Sequence, residues 1–254
     1  MLTAVLRWWL ALPAILLLLP VLLLQGRRVR RMVPKLHAAS GPAAGRVGEP
    51  AGTVNSVEGL RLLAVGDSVA AGVGVAELAQ SIPAVTASVL AQAESKVVAW
   101  SAHGVDGDNV ANVVARVPTL PRSSVDIVLV SVGVNDVTGF TSLIRWQAGL
   151  LSLCMALRER YPFACIVFLG LPPLRQFPML PQPLRWALGA RAALLESVLV
   201  RVAELMDAVS VVSLAQAFEA KGMAEDGFHP GPEAHEVMGR LVAEHVRQQA
   251  LLRA

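Results

Sequence analysis

Four short segments carry residue types that can do chemistry together. Gly66-Asp67-Ser68 follows an apolar run, and a serine hydroxyl becomes a nucleophile once a base takes its proton. Asp226-Gly227-Phe228-His229-Pro230 supplies a candidate base, His229, with Asp226 three residues earlier to hold its tautomer and stabilise the imidazolium. Ala102-His103-Gly104-Val105-Asp106-Gly107 is glycine-rich and leads into a helical pattern, so its backbone N–H groups can point at an anion. Gly133-Val134-Asn135-Asp136 adds a side-chain amide. A turn explains any one of these segments; all four, in this order and each at a strand end or before a helix, point to nucleophilic catalysis.

The elements that must position them read as an alternating α/β chain. Residues 60–65 are short, apolar and bounded by glycine, as a buried parallel strand is. Strands are expected again at 96–101, 125–132, 163–169 and 209–214, and helices at 82–94, 107–117, 143–160, 184–206 and 232–252. A helical pattern after Ser68 puts the serine near a helix N-terminus. The fold class expected is α/β, a three-layer α/β/α sandwich with a mainly parallel, flavodoxin-like sheet. Its chemistry belongs on the rim formed by the carboxyl ends of the strands.

The chain has 254 residues, 54% of them hydrophobic, enough for one large domain over 59–254 and a short extension. A net charge of +3, with scattered basic residues and few aromatics, argues against a nucleic-acid partner. Cys154 and Cys165 have neither a Cys-x-x-Cys context nor a metal-like one, and read as small core residues.

Residues 1–26 are a different kind of sequence. From 8 to 24 the chain is uncharged and apolar, just long enough to cross roughly 30 Å of hydrocarbon. Trp8 and Trp9 suit a membrane interface, whereas Pro13 and Pro20 would kink the helix. A cleaved secretory signal competes, but its charge belongs before the apolar run, and Arg7 is the one basic side chain there. Arg27, Arg28, Arg30, Arg31 and Lys35 follow; by the positive-inside rule they place the rest of the chain on the cytoplasmic face, with a periplasmic location as the alternative. Residues 27–58 read as a basic juxtamembrane segment and flexible linker, the part after 32 being rich in Ala, Gly, Pro and Ser.

Gly66-Asp67-Ser68, Gly104, Gly133-x-Asn135-Asp136 and Asp226-x-x-His229 together resemble the four blocks of the SGNH or GDSL serine hydrolase superfamily. The resemblance runs from Arg61 to the C-terminus, with the nucleophile block reading Gly-Asp-Ser-Val rather than Gly-Asp-Ser-Leu. The run 131–138, the loop Pro172-Pro173-Leu174-x-x-Phe177-Pro178 and the Asp226 segment resemble the esterase and lysophospholipase-like branch, and within it esterases linked to N-acyl amino acid synthesis. The resemblance implies a triad of Ser68, Asp226 and His229, and an oxyanion hole made by the Ser68 and Gly104 backbone N–H groups and the Asn135 side chain. An α/β-hydrolase elbow would read Gly-x-Ser-x-Gly, but Ala70 holds the fifth position, and Asp226 sits close to His229.

The remaining candidates have simpler readings. Asp67 and Asp136 brace their turns; His103 is a rim bystander; His235 and His245 are surface residues of the last helix; His37 lies in the linker. No metal and no cofactor are expected, since Asp226, His229 and His235 lack a second ligand cluster. The segment 170–186 is apolar and proline-stiffened, and through Leu174, Phe177 and Met179 it could form an acyl-chain wall, a lip dipping into a membrane, or ordinary packing over the sheet edge. The expectation is a membrane-anchored serine hydrolase acting on carboxylic esters or thioesters of lipid-like substrates. A carbohydrate O-acetylesterase and a non-catalytic lipid-binding module are the alternatives.

Overall fold

In the computed structural model, which describes residues 2–48, 59–214 and 222–251, six strands form one sheet. They are β1 (Ala44–Val47), β2 (Leu60–Gly66), β3 (Val98–Gly104), β4 (Ile127–Ser131), β5 (Cys165–Leu169) and β6 (Val209–Val212), in the order β1-β3-β2-β4-β5-β6. β2 to β6 are parallel, and β1 joins the edge antiparallel to β3. Strand order reverses at β2, with β3 on one side and β4 on the other. That switch point is where open α/β sheets leave a crevice for a ligand.

Period-two alternation builds two cores from the same strands. Leu63, Val65, Val128, Val130, Ile166 and Phe168 face one layer, while Leu62, Ala64, Ile127, Leu129, Val167 and Leu169 face the other. The first layer holds α4 (Val110–Arg116), α6 (Leu143–Arg160) and α7 (Leu184–Glu204); the second holds α3 (Ile82–Glu94) and α8 (Pro232–Leu251). A short α5 (Val134–Thr138) follows β4. The expected three-layer sandwich with a mainly parallel sheet is present, and the antiparallel edge strand β1 makes that sheet mixed. Local signals set the helix starts: the Asn109 side chain accepts from Asn112 N–H at 3.1 Å, and the Ser142 side chain from Arg145 N–H at 3.3 Å.

Three expectations are corrected. The residues after Ser68 wind through turns, with no helix before a 3₁₀ turn at Leu78–Gln80 and α3 at Ile82; Gly72 and Gly74 are poor helix formers. The apolar N-terminus is not one straight span but α1 (Leu2–Leu17) and α2 (Leu19–Met32), bent by 86° at the break. Pro20 stands at the start of α2, where its ring and missing N–H interrupt the ladder. At 16 and 14 residues the halves are about 24 and 21 Å long, and no single helix is long and apolar enough to cross a membrane. Finally, part of the expected linker is structured: Arg27 to Met32 continue α2, and residues 44–47 form β1, while 49–58 lie outside the described residues.

Candidate active site

Each motif hangs from the end of a parallel strand or a tightly closed loop. β2 ends at Gly66, whose φ of +150° suits glycine, and a Cβ there would lie 1.9 Å from Ser131 O of β4. The turn beyond is closed by Ala71 N–H donating to Asp67 O (3.1 Å) and Val73 N–H to Ser68 O (2.9 Å). Asp67, fully buried, accepts through Oδ1 from Ser131 Oγ at 2.7 Å and Val69 N–H at 3.1 Å. Burial pushes its carboxyl up to about 6, against the pull of those hydrogen bonds. Asp67 thus braces the turn that presents Ser68, as the sequence suggests.

Opposite, residues 222–231 form a closed loop: Gly231 N–H donates to Gly222 O at 2.7 Å and Ala224 N–H to His229 O at 2.8 Å. Inside it, Asp226 is wholly buried and accepts through Oδ1 from the Phe228 and His229 N–H groups, each at 2.9 Å. Its Oδ2 lies 2.5 Å from His229 Nδ1, and His229 Nε2 lies 3.0 Å from Ser68 Oγ. Burial alone would raise the Asp226 carboxyl, but the His229 ring and the two backbone donors more than offset it and hold it below its ordinary value. Nδ1–H therefore donates to Asp226, and Nε2 is free to accept from the Ser68 hydroxyl. A hydroxyl, an imidazole and a buried carboxylate in this relay can draw a proton off the serine as it attacks a carbonyl carbon.

Gly104 closes the back of the same turn. A Cβ on it would lie 2.0 Å from Ala71 N and 2.6 Å from Asp67 O, so only glycine lets β3 approach the Ser68 turn this closely. Asn135, in the first turn of α5, lines the pocket with Ser68 and His229. One hydrogen of its Nδ2 goes to Asp108 O at 2.9 Å, which orients the amide and leaves a second donor. Asp136 points away and accepts from Val110 N–H at 3.0 Å through Oδ2, bracing its turn.

The pocket, about 120 Å³, is otherwise walled by Leu169, Phe177, Leu214, Phe228 and Met238. Of the three expected substrate-contacting residues, Phe177 lines it and meets Phe228 edge-on at 5.5 Å. Leu174 instead belongs to the core beneath the loop, 1% exposed, because the 3₁₀ turn at Leu174–Gln176 turns it inward. Met179 is half-buried beside Gly227 of the Asp226–His229 loop.

Sequence reasoning missed Arg116. From α4 its guanidinium donates to Gly66 O (2.8 Å), His103 O (3.1 Å) and Asp108 Oδ2 (2.7 Å), tying the ends of β2 and β3 to the residue whose carbonyl orients Asn135. Nothing local marks such a brace. His235 is likewise not on the surface: it is wholly buried, with Nδ1 accepting from Ile82 N–H at 3.2 Å, and burial pushes it down to about 4. Its position three before Met238 and seven before Val242, both buried, was the available signal. His245 is partly buried, 2.9 Å from Ser210 Oγ. His103 meets Ser101 Oγ at 3.2 Å. No cluster of three metal-ligating side chains occurs among the described residues.

Comparison with known proteins bears on the fold and the family. No curated protein sequence matches the chain. Among solved structures, the lipase Lip_vut3 from a goat rumen metagenome superposes with a TM-score of 0.60 at 15% identity, over 73% of this chain and 96% of that one. The acetylxylan esterase Axe2 from Geobacillus stearothermophilus gives 0.55 at 19% identity, over 74% and 94%. A putative platelet activating factor from Streptococcus pneumonia gives 0.58 at 14%, over 92% and 98%. At these identities the likeness is one of fold. The model of the GDSL-like lipase/acylhydrolase family matches residues 64–237, a stretch that holds all four motifs. The resemblance read from those motifs stands: this chain belongs to the GDSL-like lipase/acylhydrolase family and is a carboxylic ester hydrolase.

Proposed function

We propose that the chain is a serine esterase of lipid-like carboxylic esters or thioesters, of lysophospholipase type, working through an acyl-enzyme on Ser68. The observation that carries the reading is the relay of Ser68 Oγ, His229 and Asp226 at 3.0 and 2.5 Å. Ser68 Oγ attacks the ester carbonyl as its proton passes to His229 Nε2; Asp226 stabilises the imidazolium. The oxyanion is held by the Ser68 and Gly104 N–H groups and the Asn135 amide. Collapse breaks the bond to the leaving oxygen or sulfur, which takes the proton from Nε2. A water then gives a proton to Nε2, adds to the acyl carbon, and releases the acid as Ser68 regains its hydrogen.

Support for a lipid-like substrate comes from the apolar walls of the pocket and from the N-terminal helix pair. Trp9, Leu10, Leu16, Leu17 and Leu24 are exposed on that pair, and Arg27, Arg28, Arg30 and Arg31 follow at its end. In our reading this bent amphipathic pair attaches the enzyme to a membrane, its basic end against anionic headgroups on the cytoplasmic face. A periplasmic reporter fused after Ala254 that was exported in active form would overturn that side assignment.

The test is a ladder of nitrophenyl esters from acetyl to palmitoyl, offered to the detergent-solubilised full chain beside Ser68→Ala and His229→Ala. Loss of activity in both variants, with a wild-type peak at medium or long chains, is the expected result. An acetyl-only peak would favour carbohydrate deacetylation, the activity named for Axe2. A folded wild type that hydrolyses nothing and ignores a fluorophosphonate probe would leave a lipid-binding module.

A further inference from the structure

The N-terminal helix pair folds back on the domain near its reaction pocket. Gln25 Nε2 donates to Gln182 O at 2.7 Å, Leu184 N–H donates to Gln25 Oε1 at 3.0 Å, and the Arg191 guanidinium lies 6.0 Å from the Trp8 ring. Between the pair and α7 lies a cavity of about 720 Å³, within the roughly 300–1,000 Å³ usual for small-molecule sites. Ile15, Leu19, Leu22 and Leu23 wall it from the helix pair, and Leu184 and Leu188 from α7. Asp106, Phe228 and His229 line both this cavity and the pocket around Ser68, so the two adjoin at the catalytic histidine. Arg27, Arg30 and Lys35 also line it, and none of them forms an ion pair among the described residues. Their aliphatic stems can cover apolar surface while the charges reach water.

A pocket of about 120 Å³ beside Ser68 is room for a small acyl group; the far larger, mainly apolar chamber that adjoins it at Phe228 and His229 is room for a chain. We propose that α1, α2 and α7 together form the acyl-chain site of the enzyme, so that the helix pair is part of the substrate-binding machinery and sets chain-length preference. The proposal rests on hydrolysis at Ser68. It assigns the substrate class as esters of medium or long single acyl chains. An acyl carbonyl at Ser68 passes its chain beside Phe228 and His229 into the space between α7 and the helix pair, where each buried methylene is worth about 0.8 kcal/mol, or fourfold in affinity.

Gly26 offers a substitution that separates filling from folding. It lines the chamber, a Cβ built on it meets no atom within 4 Å, and leucine favours the helix that glycine weakens. Leu23→Trp, at a half-exposed position of the same wall, is the second variant. The readout is the ratio of kcat/KM for nitrophenyl decanoate to that for the acetate, measured on full-length protein. If each variant displaces about two methylenes, the ratio falls roughly fifteenfold in both. An unchanged ratio in both, with Ser68 still labelled by a fluorophosphonate, overturns the chamber while leaving the serine hydrolase intact. A second arm needs no turnover: a fluorescent fatty acid is titrated into Ser68→Ala with and without Gly26→Leu. Affinity that falls with the added leucine supports the chamber, and equal affinity overturns it. A wild type that neither hydrolyses esters nor takes the probe sinks the reading at Ser68 instead, and the proposal of an acyl site for catalysis with it.

Discussion

Protonation of His235 should unlock the packing of α3 against α8 as pH falls. The ring is wholly buried; Nδ1 accepts from Ile82 N–H at 3.2 Å, and Nε2 sits 3.4 Å from Val73 O in the loop closed by Ser68. That pairing requires a neutral ring with its hydrogen on Nε2. A second proton on Nδ1 would face the Ile82 N–H. Burial takes the group from 6.5 to about 4, so the stability it contributes is full above pH 6.5 and is lost as pH falls towards 4. The 2.5-unit difference is worth about 3 kcal/mol, or roughly 6–12 °C in Tm for a chain of this size. Asp67 titrates in the same window with the opposite sign, so the wild-type curve alone is a poor reporter. The informative quantity is the difference between wild type and His235→Gln, from urea unfolding at intervals between pH 7.5 and 4. The variant should start less stable and gain about 3 kcal/mol on the wild type across that range. Parallel curves would show that His235 does not stay neutral for the reason given.

Asp67→Asn should behave in the opposite sense. The folded carboxyl is raised from 3.8 to about 6, so stability present below pH 3.8 is lost as pH rises to 6, about 3 kcal/mol in all. Asparagine keeps an acceptor for Ser131 Oγ and Val69 N–H, and its unfolding midpoint should gain on the wild type between pH 4 and 6.5; no gain refutes the burial argument. Asn135→Ala should lower kcat by about 10²–10³ with a small change in KM, as removal of one oxyanion donor does, and a loss under threefold would remove Asn135 from that role. Gly104→Ala places a methyl 2.0 Å from Ala71 N, so the nucleophile turn must shift; both Tm and kcat should drop, and values equal to wild type would contradict the close packing.

Where a segment's own residues decide its structure, the sequence was readable. α3 and α6 begin and end where their apolar spacing puts them, and the buried strands of the sheet announce themselves as short β-branched runs. The relay of Ser68, His229 and Asp226 was legible because Asp226 and His229 share one loop and Ser68 stands two residues after the glycine that ends a strand. What escaped depends on partners distant in sequence. β1 is the tetrapeptide Ala-Gly-Arg-Val, unremarkable until its register against β3 places Gly45 under the Trp100 ring. Arg116 is one basic residue among many until three chain segments converge on it. Leu174 and Phe177 sit three apart in one loop and both enter the core, and only the turn between them decides that Phe177 also reaches the pocket. The N-terminal apolar run is long enough to span a membrane by count, but Pro20 breaks it into two helices and a corner.

The central claim is that Ser68 is the nucleophile and His229 its base. A fluorophosphonate applied to the full chain, followed by intact-mass measurement and peptide mapping, tests it most directly. The account predicts one adduct, on Ser68, forming orders of magnitude more slowly in His229→Ala. An adduct on any other residue, or labelling of Ser68 at the same rate without His229, would contradict it.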